Sequence, residues 1–402
     1  MKILFITWDG PQVNYLESLF LPIFKQLSNT GYSFHIFHVT WGDNNNINAC
    51  KKICKDCNFT YQFIKVLRYP YTLGIIITTI NASRIIRKLI TENKVNVVMP
   101  RSTLPALATL IALHKIRFPF VFDADGLPLD ERVDFAGNIP SSIIYRFLRD
   151  IESEAVRCAD VVLVRTKKAI DILQARAGSG TNKDKFNVVL NGRDTKIFNI
   201  YNETERNNVR KSMYLGIDTP LIVYAGSIGP QYCVNEMFKF FTFLKQYRED
   251  AHFLILTNSP KLLSSILKKY HYLSSSITTI SLKAKEVPRY ISCADLGLAL
   301  RKNTFSMQAV APIKIGEYLL CGVPILASAS IGDVSDISSD VGMLIHHMDD
   351  VELNAAASWF IKTVLLNRNK YYEKCRQVGL DNYSLEFSRD TYLNAFKKIP
   401  IT

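Results

Sequence analysis

The stretch Pro312-Ile-Lys314-Ile-Gly-Glu317 sets a proline, a lysine and a carboxylate within six positions, ahead of Gly322-Val-Pro324. A proline at a helix start is pre-organised for the helix. It leaves the backbone N–H groups of Ile313, Lys314 and Ile315 as unpaired donors beside the positive end of the helix dipole. Such a start suits a phosphate. Lys314 adds a full charge to it, and Glu317, one turn on, shares the helix face and can accept hydrogen bonds from a ribose diol. The same spacing equally suits a plain Lys–Glu surface pair worth only about 0.2–0.5 kcal/mol. Arg301 and Lys302 end the preceding apolar run and offer further cations to the same anion.

In the first half of the chain, Phe122-Asp123-Ala124-Asp125-Gly126 follows an apolar run and precedes Asp130-Glu131. Carboxylates at a strand end can orient sugar hydroxyls or stabilise a developing oxocarbenium ion. They can equally form turns and cap the next segment. Arg101, in Pro100-Arg101-Ser102, is suited to an anionic substrate or stands as a surface arginine. Cys50, Cys54 and Cys57, with His35 and His38 upstream, offer thiols and imidazoles. Their spacing fits no standard zinc pattern, so the main reading is an insertion with free cysteines and no metal is expected.

These residues fall at the ends of short apolar runs that alternate with helical patterns. Residues 2–7 and 34–40 read as strands around a helix over 14–29. The rhythm continues with a helix over 82–92, strand 95–99, helix 104–114, strand 118–123, helix 142–158 and strand 161–165. A polar stretch over 199–210 interrupts it, and the Asn44–Asn46 run reads as a loop tip. Strands over 221–225, 253–257, 277–280, 296–300 and 324–327 then alternate with helices over 234–246, 260–269, 287–293 and 313–321. Two doubly wound α/β domains follow, with strand carboxyl ends expected to face a common cleft where open sheets bind ligands.

Composition narrows the function further. The 402 residues are 48% hydrophobic and 21% charged, an ordinary globular balance for two or three domains. The first strand is followed by Trp8-Asp9-Gly10-Pro11 rather than a Gly-x-Gly-x-x-Gly turn, and no Walker lysine motif occurs, which argues against a dinucleotide. No signal peptide is recognisable, and Leu73–Ile80, the best candidate for a membrane span, is too short to cross a bilayer. A cytoplasmic protein with its eight cysteines as thiols is expected. Net charge is +13, and residues 1–200 hold 26 Lys and Arg against 17 Asp and Glu. Residues 51–120 carry 12 basic residues, Lys115 among them, against Asp56 and Glu92. Such a patch suits anionic lipid head groups, an acidic lipid-linked substrate or nucleic acid, or is a solvated face. Nucleic acid is disfavoured because the basic residues are not interleaved with aromatics in any known module. Leu73–Ile80 beside Arg84, Arg87 and Lys88 points to an anionic membrane surface.

The pattern Phe305-Ser-x(5)-Pro312-x-Lys314-x-x-Glu317-Tyr-Leu-x-x-Gly322-x-Pro324 resembles the C-terminal domain of family-4-type retaining glycosyltransferases of GT-B fold. More narrowly it is similar to bacterial capsule and lipopolysaccharide members. Supporting elements occur in the same order: Glu152 with Ala159-Asp160, Asn191-Gly192-Arg193-Asp194 to Phe198, Tyr224-Ala-Gly226-Ser227-Ile-Gly229, Ala294-Asp295, Ile331-Gly332-Asp333 and Tyr383-Ser384-Leu-Glu386. The resemblance implies two Rossmann-like domains facing a central cleft. Residues 1–198 would form the acceptor side and 199–383 the donor-binding domain, with a helix over 384–402 packing back on the first.

It further implies a retaining, hexosyltransferase-type enzyme that needs no metal or other cofactor and sits peripherally on the inner face of the plasma membrane. The reaction would move a sugar from a nucleotide-diphosphate-sugar to a lipid-linked or oligosaccharide acceptor in cell-surface polysaccharide biosynthesis. Asp125, Lys314 and Glu317 are the implied catalytic residues, with Gly10, Ser227, Gly229, Leu282, Arg301, Lys302, Pro312 and Ile313 also on the donor side and Arg101 and Asp123 on the acceptor side. The sequence departs from the pattern at Ala309, where relatives often have Glu. It departs again at Pro230-Gln231-Tyr232, where many have Arg and Lys for the diphosphate, so Lys314 with Arg301 or Lys302 takes that place. A nucleotide-sugar epimerase of the same fold is the rival reading.

Overall fold

The structure, a computed structural model, describes residues 1–11, 14–114 and 116–400. The chain divides into two compact units, Met1–Asn191 with Ser388–Thr402, and Gly192–Phe387.

In the first unit the strands are β1 (Lys2–Asp9), β2 (Ser33–Thr40), β3 (Thr60–Lys65), β4 (Val97–Pro100), β5 (Val121–Asp123), β6 (Val161–Val164) and β7 (Phe186–Val188). The central ones are short apolar runs because helices cover both faces, and Ile3 to Ile6 of β1 have no exposed surface, whereas the edge strand β3 is mixed and half exposed. The order is β3-β2-β1-β4, all parallel, and β5-β6-β7 continue it through the bridges Val98↔Phe120 and Arg101↔Asp123. Strand order therefore reverses between β1 and β4, which opens a crevice at their carboxyl ends.

The second unit repeats the plan with β8 (Leu221–Ala225), β9 (His252–Leu256), β10 (Ile277–Ile280), β11 (Leu296–Ala299), β12 (Ile325–Ser328) and β13 (Gly342–Ile345). Their parallel order is β10-β9-β8-β11-β12-β13, so the switch point lies between β8 and β11. Phe238, Phe241 and Phe253 pack ring against ring beneath this sheet.

Several elements differ from the sequence reading. Residues 44–46 open the helix Asn44–Asp56 instead of a loop tip. Asp43 caps it by accepting the Asn46 N–H at 2.9 Å, and Ile47, Cys50 and Cys54 form its buried face. The helix expected over 82–92 runs over Tyr71–Glu92. Its first half is rich in β-branched residues, yet Gly74 closes on the Leu67 carbonyl and Thr78 Oγ accepts the Leu67 N–H at 3.0 Å, so packing outweighs propensity. The polar stretch near 200 contains the helix Glu203–Ser212, whose inner face is Arg206, Val209 and Arg210.

The unit boundaries also differ from 198/199 and 383/384. Residues 192–198 belong to the second unit because Arg193 exchanges backbone hydrogen bonds with Tyr383 and Leu385 and Arg376 donates to the Phe198 carbonyl at 2.7 Å. The C-terminal helix is Leu385–Phe396, shorter than 384–402. From Ser388 onward it belongs to the first unit, where Phe396 meets Tyr32 and Lys398 reaches the Asp184 carbonyl at 2.8 Å. Ile401 and Thr402 lie outside the described residues.

Candidate active site

At the second unit's switch point, the loop after β8 carries Gly226, Ser227 and Gly229, and the segment after β11 carries Arg301 and Lys302. The helix Ile313–Leu320 starts against them. Gly226 adopts φ +151°, and a Cβ there would collide with Lys314 Nζ, so only glycine lets the lysine approach this backbone. Lys314 Nζ donates to Tyr224 Oη at 2.8 Å, and Tyr224 Oη donates to the Ser227 carbonyl at 2.5 Å. The same ammonium lies 4.0 Å from the centre of the Tyr224 ring and 4.2 Å from that of Tyr232. Arg301 covers Tyr232 at 4.8 Å and is bridged to it through the backbone. Tyr232 is thus shared by two cations. Burial, with Arg301 nearby, pulls the Lys314 amine well below its ordinary range.

Glu317 does not pair with Lys314. It accepts from Arg193 Nη2 at 2.7 Å, and Arg193 in turn covers Phe198 at 5.7 Å. The plain Lys–Glu surface pair is therefore not what forms. Pro312 is the cap residue itself, and the Ile315 N–H donates to the Pro312 carbonyl at 3.1 Å, which leaves the expected free donors to Ile313 and Lys314. Ser227 and Lys302 are exposed and Gly229 abuts the Gln231 side chain, while Leu282 is half-buried in the loop after β10. Of the two cations offered by the sequence, Arg301 joins the tyrosine cluster. Ala309 is buried, a neutral side chain where a carboxylate was absent from the pattern.

At the first unit's switch point, Gly10 follows β1 and packs against the Trp41 ring, where any side chain would collide. Arg101, after β4, is 8% exposed and not a surface residue. Its guanidinium pairs with Asp125 and lies over the rings of Tyr15 and Phe20. Ser102 and Asp125 both adopt positive φ, +69° and +54°, so strained backbone flanks this ion pair on both sides.

Asp123, expected on the acceptor side, has no exposed surface, and both its oxygens accept from Arg165 Nη2 at 2.8 Å. It cannot reach a substrate hydroxyl. Burial pushes its carboxyl up while Arg165 pulls it back. Asp123 positions instead: its side chain accepts the Asp125 N–H at 3.2 Å.

Sequence reading carried Arg193 and Tyr224 only inside motif elements, with no role of their own, and missed Arg165, because Glu317, Lys314 and Asp123, which they meet, are distant in the chain. It also missed a relay at the ends of β1, β2 and β3, in which Thr7 Oγ donates to Asp9 at 2.9 Å, Asp9 contacts His38 Nε2 at 2.6 Å and Tyr61 Oη contacts Nδ1 at 2.9 Å. Cys50 donates to Glu17 at 2.8 Å, and no group of three side chains among the described residues could hold a metal ion.

No family model and no curated protein matches the sequence. Solved structures match it over essentially its whole length. A glycosyltransferase from Rickettsia africae superposes with a TM-score of 0.75 at 14% identity, covering 99% of this chain and 98% of that one. Anabaena HepE in complex with UDP and glucose gives 0.73 at 12% identity, with 99% of both chains covered. WaaG, a glycosyltransferase involved in lipopolysaccharide biosynthesis, gives 0.67 at 15% identity over 98% of each chain. The fold is GT-B. Within this GT-B chain each unit carries a polar cluster at its own topological switch point, the position where open α/β sheets take ligands.

Proposed function

We propose that the chain is a retaining glycosyltransferase that takes a sugar from a nucleotide-diphosphate donor to a glycan acceptor on a lipid carrier, in cell-surface polysaccharide biosynthesis at the cytoplasmic face of the membrane. The observation that carries the donor reading is that Lys314 and Arg301 share Tyr232 at the β8/β11 switch point. HepE binding UDP and glucose, and WaaG acting in lipopolysaccharide biosynthesis, support the substrate class and setting.

In this reading Lys314 and Arg301 face the diphosphate, with the Ile313 and Lys314 N–H groups at the helix start. Glu317, fixed by Arg193, accepts from the ribose. Ser227, Gly229 and Leu282 line the donor side with Pro312. The bond from the anomeric carbon to the diphosphate oxygen breaks, and the acceptor oxygen bonds to that carbon on the same face. The departing phosphate takes the acceptor proton. Asp125, aimed by its pair with Arg101, orients the acceptor hydroxyl.

The test is thermal stabilisation and turnover with UDP-, GDP- and ADP-sugars, with CMP-sugars as monophosphate controls. A donor at 100 times its Kd should add about 2.7 kcal/mol of stability. Lys314→Ala and Glu317→Ala should each cost roughly 10- to 100-fold in transfer. Near-wild-type transfer by both variants would overturn the assignment, and conversion of the donor to an epimer without any acceptor would make the protein an epimerase.

A further inference from the structure

The helix Tyr71–Glu92 buries Gly74, Thr78, Ala82, Ile86 and Leu89 along one side. At 100° per residue, Leu73, Ile76, Ile77, Ile80, Arg84 and Arg87 share the opposite side, and Lys88 borders it. Leu73 and Ile76 are about half exposed, at 51% and 50%, and Ile77 and Ile80 keep 38% and 41%. Arg84, Arg87 and Lys88 are all exposed. The outward face is therefore divided along its length, apolar in the first half and basic in the second, with the basic centre about 15 Å further along the axis.

We infer that this outward face docks on an anionic phospholipid bilayer, apolar end first. The helix is too mixed to cross a membrane, and among the described residues no helix is long and apolar enough to do so. Tilted into the boundary between head groups and chains, it would place Leu73 to Ile80 in the apolar layer and Arg84 to Lys88 at the phosphates. Tyr69 and Tyr71, 95% and 66% exposed at the apolar end, have the amphipathic rings that settle at such boundaries.

Two grooves flank Arg84, of about 310 and 510 Å³. The smaller pairs Lys65 and Arg84 with Leu67, and the larger pairs Arg84, Arg87 and Lys88 with Ile80 and Ile111. Each sets an apolar wall beside a cationic rim, which matches a lipid chain beside its phosphate. A protein partner fits less well, because charged residues are depleted at the cores of protein interfaces and this half of the face carries three cations against Glu92 alone. Lys115, part of the basic excess in the sequence, lies outside the described residues. The inference rests on this surface and not on the transferase reading, although a lipid-linked acceptor would be met at the same membrane.

The experiment is flotation of the full chain with phosphatidylcholine vesicles, with and without phosphatidylglycerol, over a range of salt concentrations. Binding should require phosphatidylglycerol and weaken as salt rises. Arg84→Gln with Lys88→Gln should lower affinity about 30-fold. Arg87 is left in place because it donates to the Ile111 and Ala112 carbonyls and so holds the neighbouring helix. Ile76→Ser with Ile80→Ser should also weaken binding while leaving its salt dependence. Both double variants should keep the wild-type thermal midpoint and the stabilisation by nucleotide-sugar, which separates failure here from failure of the donor site. Equal binding to both vesicle types, or none to either, would overturn the inference. So would a concentration-dependent dimer that the isoleucine variant dissolves, since the face would then belong to a second copy of the chain.

Discussion

Glu152 shows how burial and charge compete at a single residue. Its carboxyl is 1% exposed and lies 3.0 Å from Arg149 and 3.3 Å from Arg176, which also grips Asp130 through both guanidinium nitrogens. Burial pushes it up to about 7, against the pull of Arg149. A carboxyl raised on folding binds more protons in the native than in the unfolded state. Its stabilising contribution is therefore full below about 4.5 and is lost as pH rises through about 7. Denaturant titrations across this window should show stability falling with a slope of up to about 1.4 kcal/mol per pH unit from this group, and Glu152→Gln should remove that part of the slope. An unchanged slope in the variant would mean the two arginines keep Glu152 ionised throughout. The sequence marked Glu152 only as part of a resemblance. Nothing in the chain near it announces Arg176, because the pairing crosses from one helix to another.

At the scale of elements, the helix Glu203–Ser212 was misread because its inner face is not apolar. Arg206 meets Asp295 at 2.7 Å, and Arg210, with no exposed surface, meets it at 3.6 Å and donates to the Cys293 carbonyl at 2.8 Å. Arg368, from another helix, reaches the same carboxylate at 2.7 Å, and the Leu221 N–H at the start of β8 donates to it at 2.8 Å. One carboxylate therefore ties two helices to β8 and β11, the strands at the second unit's switch point. Asp295→Asn would leave three guanidiniums around a neutral group, and should cost about 3–5 kcal/mol in equilibrium unfolding. Arg206→Met with Arg210→Met should be tolerated better if packing substitutes for charge. A period-based reading assigns buried faces to apolar residues, so an arginine-lined helix reads as an interruption. Most buried parallel strands were legible as continuous apolar runs, but β3, β7 and β13 were not, because β3 is a half-exposed edge strand with polar residues and the other two are only three and four residues long.

For the whole molecule, net charge is +13, and on the proposed donor reading Lys314 and Arg301 would offset the diphosphate, so we propose that no divalent ion is needed for transfer. Activity should persist in excess EDTA. Complete loss on chelation, restored by magnesium or manganese, would show that Lys314 and Arg301 do not suffice. The sequence by itself determined the alternation of strands and helices, the two doubly wound units, and the helix start at Pro312 with Lys314 beside it. These follow from local periodicity and from residue types whose preferences act within a few positions. Tertiary structure alone decided that Glu317 turns to Arg193, that Asp123 is spent on Arg165, that Tyr232 is shared by Lys314 and Arg301, and that Leu73, Ile76, Ile77 and Ile80 face outward while Gly74, Thr78 and Thr79 are buried. Each of those outcomes is a choice among partners far apart in the chain, settled by which strand ends the sheet order brings together and by what remains to cover each surface.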